Sequence, residues 1–172
     1  MKKMENELKN IIKTMSGNVL LIGNYSNKLE CEIIKNEQIL ACDQLTNNSS
    51  YNSNEKSKNK KINIKNLKKY YKKKNIKNTI VNFEDVKEYK NTFIKDSSYI
   101  TKSQIIVIDK IYNNSIYKMY KRYCSDIKII DCLDGRIIKI NSSNSKKYII
   151  RNIVYYIIDE LTDILNIISN LL

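Results

Sequence analysis

Residues 17–43 read GNVLLIGNYSNKLECEIIKNEQILACD, and they hold two short apolar runs. The first run, VLLI, predicts a strand over 18–23 that ends at Gly23, and the second, ILAC, predicts a strand over 38–43 that ends at Asp43. The segment between them has the leucine and isoleucine spacing of a helix. A strand, a helix and a second strand form a parallel unit whose ligand crevice lies beyond the carboxyl ends of the strands. We therefore expect Gly23 and Asp43 to face that crevice.

The composition indicates one basic globular domain over 1–172. The chain has 172 residues, of which 42% are hydrophobic and 28% charged, as is ordinary for a globular protein with a real core. Its net charge of +13 suits a nucleic acid or an anionic membrane as a partner. The same excess arises as a solvated surface in a lysine-biased proteome, and both interpretations stay open.

The absence of histidine excludes several chemistries. No histidine-based triad, imidazole general base or histidine metal ligand can form, and we expect no metal site. The four cysteines, Cys31, Cys42, Cys124 and Cys132, include no CxxC pair, so we expect buried thiols that act as small hydrophobes. The N-terminal MKKMENELKN carries acidic residues and no long apolar run, which is unlike a signal peptide and favours a cytoplasmic protein.

Helical and strand patterns alternate along the remaining chain. An amphipathic helix within 1–15 precedes an α/β core over 16–143, and the polar sequence TNNSSYNSNEKSKNKK interrupts this core as a loop over 46–61. The other predicted core elements are helices at 26–36, 66–76, 86–98 and 114–124 and strands at 62–64, 79–83 and 104–108. Asp134 and Gly135 between alternating stretches at 126–132 and 136–140 predict an antiparallel hairpin. The expected fold is α/β, with a mostly parallel, Rossmann-like sheet, helices on both faces and a terminal hairpin.

A long amphipathic helix is predicted over 146–172. Its apolar residues follow alternating steps of four and three, at Ile150, Val154, Ile157, Leu161, Ile164, Ile168 and Leu171. Two interpretations are open: the helix packs on its own sheet, which we favour, or it forms a homodimer. A membrane span is not expected, because Asp159, Glu160 and Asp163 interrupt the apolar residues.

The predicted order of elements over 18–140 resembles the class I S-adenosylmethionine-dependent methyltransferases. In that family a glycine-rich loop after the first strand approaches the cofactor, and an acidic residue ending the second strand binds the ribose. The resemblance implies that S-adenosylmethionine is the cofactor, and it assigns its binding to Gly23, Asn24, Ser26 and Asp43. The fourth-strand motif falls at NFED, which assigns catalytic positions to Asn82, Glu84 and Asp85.

The motifs depart from the family pattern. The loop has one glycine where the family has two or three, and the chain has no proline, so the Asn-Pro-Pro-aromatic motif is absent. Two hypotheses follow: a methyltransferase, acting on RNA, or a catalytically inactive scaffold. Glu84, Asp85 and Asp109 follow predicted strands, where carboxylates serve either acid–base chemistry or ordinary turns.

A cluster of lysines supplies a candidate nucleic acid surface. The lysines that we assign to it are Lys68, Lys69, Lys72, Lys73 and Lys74, with Tyr70 and Tyr71 among them. Lysine neutralises phosphates and tyrosine stacks on unpaired bases, which suits RNA or single-stranded DNA. The alternative is a solvated helix whose tyrosines face the core.

Overall fold

The computed structural model describes residues 2–23, 32–45, 57–59, 67–124 and 126–141, with helical positions 154, 157, 158, 161, 162, 164, 165 and 168. The helices are α1 (Met4–Lys13), α2 (Leu67–Tyr70), α3 (Lys90–Ile100) and α4 (Asn114–Tyr120). The strands are β1 (Gly17–Ile22), β2 (Ile39–Leu45), β3 (Ser57–Asn59), β4 (Ile76–Asn82), β5 (Thr101–Asp109), β6 (Asp126–Cys132) and β7 (Gly135–Asn141). Residues 32–35 are also helical, and two short 3-10 turns, Phe83–Asp85 and Lys87–Tyr89, join β4 to α3.

The seven strands form one sheet in the order β3-β2-β1-β4-β5-β7-β6. Strands β1 to β5 pair in parallel, and β7 runs antiparallel to both β5 and β6. This confirms the predicted Rossmann-like sheet with its antiparallel hairpin. The strand order reverses between β1 and β4, because β1 connects towards β2 on one side and β4 connects towards β5 on the other.

Hydrophobic layers cover both faces of the sheet. Side chains alternate along each strand, so Leu20 and Ile22 of β1 pack on the layer that contains α2, α3 and α4. Val19 and Leu21 pack on the opposite layer, against α1 and Ile33. Helices therefore lie on both faces, as the sequence predicts. The central strands are apolar on both sides, which is typical of parallel strands covered by helices.

The N-terminal helix is tied to the hairpin at the far edge of the sheet. The backbone N–H of Met4 donates to Asp134 Oδ1 at 2.8 Å, and the N–H of Leu133 donates to the Lys2 carbonyl at 3.2 Å. The buried residues of α1 include Met4, Leu8, Ile11 and Ile12. α1 therefore forms part of the hydrophobic layer that covers β1 and β7.

Several predicted elements differ from the observed ones. β2 continues two residues past the predicted end at 43, and an edge strand, β3, occupies 57–59 inside the predicted polar loop. The predicted strand at 62–64 lies outside the described residues. The lysine-rich helix is one turn, Leu67–Tyr70, instead of 66–76. It ends early because the chain must turn into β4 at Ile76, and Lys74 adopts a positive φ of 55° in that turn.

The C-terminal segment is helical at each position that the structure describes. Its apolar side chains there are about half exposed, from 48% for Ile168 to 64% for Leu165. The expectation that this stripe packs on the sheet is therefore wrong for these residues. No helix in the described part of the chain is long and apolar enough to cross a membrane.

Candidate functional site

The candidate site lies at the carboxyl ends of β1 and β4, where the strand order reverses. In open α/β sheets this reversal opens a crevice, because the two connections leave in opposite directions. Gly23 follows β1, and the turn Phe83–Asp85 follows β4. The two strands pair in register up to Ile22 and Val81, which brings Gly23 beside the start of that turn. The sheet thus brings together candidate residues that are about 60 positions apart in the sequence.

Gly23 lies in close contact with the turn that follows β4. Its N–H donates to the Leu45 carbonyl at 3.0 Å, and its φ of +107° is one that side-chain-bearing residues rarely adopt. A Cβ at this position would collide with the Asp85 carboxylate and lie 3.2 Å from Asn82 Cβ. Glycine is therefore required both by the backbone conformation and by the close approach of the turn after β4.

Asn82 and Asp85 form a polar pair against Gly23. The Asn82 amide Nδ2 donates to Asp85 Oδ2 at 2.9 Å. Asn82 Oδ1 is buried, and among the described residues it has no hydrogen-bond partner. A buried acceptor without a donor is costly unless a ligand or water completes it. Glu84, the third predicted catalytic residue, is exposed.

Asp43 does not end β2, as the sequence predicts, but lies within the strand. It sits inside β2, in register with Leu20 of β1 and Lys58 of β3, and two residues before the strand ends. Its Oδ2 accepts a hydrogen bond from the Tyr71 hydroxyl at 3.0 Å. Burial raises the pKa of Tyr71 above its usual value, and the neighbouring Asp43 carboxylate adds to this, so the phenol stays protonated as a donor. Asp43 therefore joins β2 to the segment after α2 rather than projecting from the strand end. The other predicted cofactor residues, Asn24 and Ser26, lie outside the described residues.

Asp109 ends β5 on the same edge, and its partner is Arg136, which the sequence analysis missed. Arg136 Nε donates to Asp109 Oδ2 at 2.8 Å, and both side chains are almost fully buried, with exposed fractions of 6% and 0%. The carboxylate also accepts from the N–H groups of Ile111 and Asn113. The pair is in register across β5 and β7, a position that a correctly predicted hairpin register would have identified. These contacts give Asp109 a structural role in closing the loop after β5.

The lysine cluster divides into half-buried and exposed members. Lys74 Nζ donates to the carbonyls of Ser98 and Thr101, at 3.2 and 2.8 Å, and burial lowers its pKa. Lys68 pairs with Asp96 at 3.3 Å and lies over the Tyr99 ring. The exposed members are Lys69, Lys72 and Lys73, beside the 47% exposed Tyr70.

The exposed lysines of the turn lie away from the crevice. Lys72 and Lys73 precede β4, whereas Asn82 ends it, so they mark opposite ends of one strand. A strand of seven residues spans about 20 Å. A nucleic acid held by this turn would therefore have to extend around the sheet edge to reach Gly23.

Strand order, hairpin and switch-point glycine together define the class I methyltransferase-like fold. Similar solved structures include an O-methyltransferase family protein from Burkholderia thailandensis, with a TM-score of 0.59 and 6% identity over 83% of this chain. A spermidine synthase in complex with the transition-state analogue AdoDATO has a TM-score of 0.59 and 10% identity over 80% of this chain. A protein named as a candidate rRNA-methylase from Clostridium thermocellum has the same TM-score and 10% identity over 84% of this chain.

The extent of these matches differs. This chain covers 57% of the first protein and 56% of the second, but 99% of the third. No protein-family model matches the sequence, and no curated protein matches it significantly. At such low identities the likeness establishes the fold alone.

Proposed function

We propose that this protein binds S-adenosylmethionine in the crevice between β1 and β4 and transfers its methyl group, with RNA as the acceptor. The observation that carries the proposal is the meeting of Gly23, Asn82 and Asp85 at the point where the strand order reverses. The likeness to methyltransferase structures supports the cofactor, and the candidate rRNA-methylase among them, together with the charge of +13, supports the acceptor.

The described residues fit the cationic end of this cofactor. S-Adenosylmethionine supplies an electrophilic methyl group on a sulfonium, and it carries an ammonium group on its amino acid portion. The Asp85 carboxylate would attract either positive charge, and the buried Asn82 Oδ1 would accept a hydrogen bond from the ammonium. The absence of a side chain at Gly23 lets Asp85 and Asn82 lie close against the backbone at this point. Asp43 accepts a hydrogen bond from the Tyr71 hydroxyl. Of the cofactor contacts that the resemblance implies, the one to the ribose is therefore the one that the described residues fit least.

Replacing Asp85 with asparagine is expected to weaken S-adenosylmethionine binding by roughly 10- to 100-fold, which corresponds to the loss of one charge-assisted hydrogen bond. Methylthioadenosine lacks the amino acid portion and the positive charge, so its affinity should stay within a few fold. Isothermal titration calorimetry of both ligands measures the difference. The matched control is Glu84→Gln, which removes a carboxylate from the exposed neighbouring position and should leave both affinities unchanged. Equal weakening of both ligands by Asp85→Asn would contradict the assignment.

A non-enzymatic scaffold that binds single-stranded RNA or DNA is the second candidate. It is favoured by the engagement of Asp43 with Tyr71 and by the exposed surface formed by Lys69, Lys72, Lys73 and Tyr70, about 20 Å from the crevice. Three exposed ammonium groups beside an exposed aromatic ring suit a phosphate backbone and an unpaired base.

Replacing Lys69, Lys72 and Lys73 together with glutamine is expected to weaken binding of a single-stranded RNA. The plot of log affinity against log salt has a negative slope, and the magnitude of that slope should decrease by about 2, because three fewer phosphates are neutralised. Fluorescence anisotropy over a salt series measures both quantities. The control replaces Lys110, Lys118 and Lys121, which are also exposed, with glutamine. It therefore lowers the net charge by the same amount as the test variant. If both triple variants lose affinity alike, the effect is one of net charge and the assigned surface is wrong.

A further inference from the structure

The C-terminal helix presents a regular apolar seam to solvent. Among the described positions, the seam residues of the heptad are Val154, Ile157, Leu161, Ile164 and Ile168, and each is 48–55% exposed. Neighbouring turns of a helix shield each other's side chains, so half exposure is close to what an uncovered helix face shows. The helix thus exposes aliphatic side chains that a folded chain normally buries.

The spacing of the seam indicates what covers it. Steps of four and three repeat without interruption, and the sequence continues them to Ile150 and Leu171 on either side. A strict seven-residue repeat is a property of helices that pack against other helices along a left-handed supercoil. A groove on an unrelated globular partner would not require this regularity over three heptads. The simplest helix with a matching repeat is the same helix of another copy.

The area of the seam is sufficient for such an interface. Ile158 and Leu165 stand directly after seam positions and widen the apolar face. Together the seven described aliphatic residues expose on the order of 700 Å², close to the ~800 Å² per partner that specific interfaces bury. Between the seam positions the sequence carries the acidic residues Asp159, Glu160 and Asp163. Helices that lie on membrane surfaces carry lysine and arginine there instead, so these acids argue against a lipid surface.

We propose that this protein self-associates through the C-terminal helix, with the seam from Val154 to Ile168 packed against the same seam of a second copy. None of the seam residues is among those that we assign to the cofactor.

Light scattering coupled to size-exclusion chromatography of the full chain, run over a range of concentrations, tests this assembly. The wild-type chain is expected to show a mass of two or more times the 20.3 kDa of a single chain. Leu161→Asp places a charge in the middle of the seam and should raise the dissociation constant roughly 100-fold. The matched control is Thr162→Asp, which adds the same charge at the adjacent exposed position outside the seam and should leave the mass unchanged.

Thermal unfolding of each variant shows whether the α/β core is intact, because these exposed residues contribute no burial to it. A wild-type mass of 20.3 kDa at every concentration would overturn the proposal, as would a mass that Leu161→Asp and Thr162→Asp lower equally. A monomer that sediments with vesicles of anionic phospholipid would also overturn it and assign the seam to a membrane surface.

Discussion

Replacing Gly23 with alanine is expected to abolish detectable binding of S-adenosylmethionine while the protein stays folded. The added Cβ would collide with the Asp85 carboxylate and press on Asn82, inside the crevice that we assign to the cofactor. The positive φ of +107° adds backbone strain of about 1–3 kcal/mol. Calorimetric titration measures the affinity, and urea denaturation measures the free energy of unfolding.

Two further variants separate binding from folding. Gly17→Ala changes the glycine at the other end of β1, which also has a positive φ and whose nearest contact is the flexible side chain of Lys77. It should lose stability without losing the cofactor. Adding Asp85→Ala to Gly23→Ala removes the colliding carboxylate, so it should restore part of the stability but none of the binding. Full affinity in Gly23→Ala would place the cofactor elsewhere.

Replacing Arg136 with methionine is expected to lower the free energy of unfolding by about 3–5 kcal/mol. The change leaves the Asp109 carboxylate fully buried without its cationic partner. The N–H groups of Ile111 and Asn113 still donate to it, but they do not neutralise its charge. Urea denaturation at neutral pH measures the loss, which is a large part of the stability of a typical domain.

The control for Arg136→Met is Lys9→Met, which breaks the partly exposed i,i+4 pair with Glu5. Exposed pairs contribute less than about 1 kcal/mol, so this variant should be nearly neutral. Combining Arg136→Met with Asp109→Asn removes the buried charge and should recover a large share of the loss. A loss below 1 kcal/mol in Arg136→Met alone would show that the carboxylate is not held as the structure indicates.

The central strands and the hairpin were predictable from local sequence. The run QIIVI predicts β5 because a continuous β-branched stretch bounded by polar residues suits a strand that is covered on both faces. Asp134 and Gly135 predict the turn between β6 and β7 because glycine accepts the positive φ of 137° observed there. The mostly parallel sheet, which the alternation of strand and helix patterns predicts, is confirmed.

The elements that the sequence predicted poorly depend on distant contacts. β3 has no apolar pattern in its sequence. Its residues form a strand because they pair with the outer edge of β2. The helix that contains α2 ends at Tyr70, and the Lys74 side chain after it donates to the carbonyls of Ser98, near the end of α3, and of Thr101, at the start of β5. The heptad pattern of the C-terminal helix was visible in the sequence, but the exposure of its described seam residues was not.

The candidate site was predicted in part. The structure brings Gly23 against Asn82 and Asp85, candidate residues that the sequence analysis named separately and that lie far apart in the sequence. The expected position of Asp43 at the end of β2 is wrong, because nothing local to β2 shows that the strand continues to Leu45 or that Tyr71 binds the carboxylate. The structure does not test the catalytic and cofactor roles themselves, which stay predictions.

A calorimetric titration of the wild-type protein with S-adenosylmethionine and S-adenosylhomocysteine tests the cofactor site itself. We expect one site per chain with micromolar affinity, lost in Gly23→Ala and retained in Gly17→Ala. The absence of any binding heat or thermal shift, with a protein whose cooperative unfolding shows that it is folded, would contradict the cofactor site at β1 and β4.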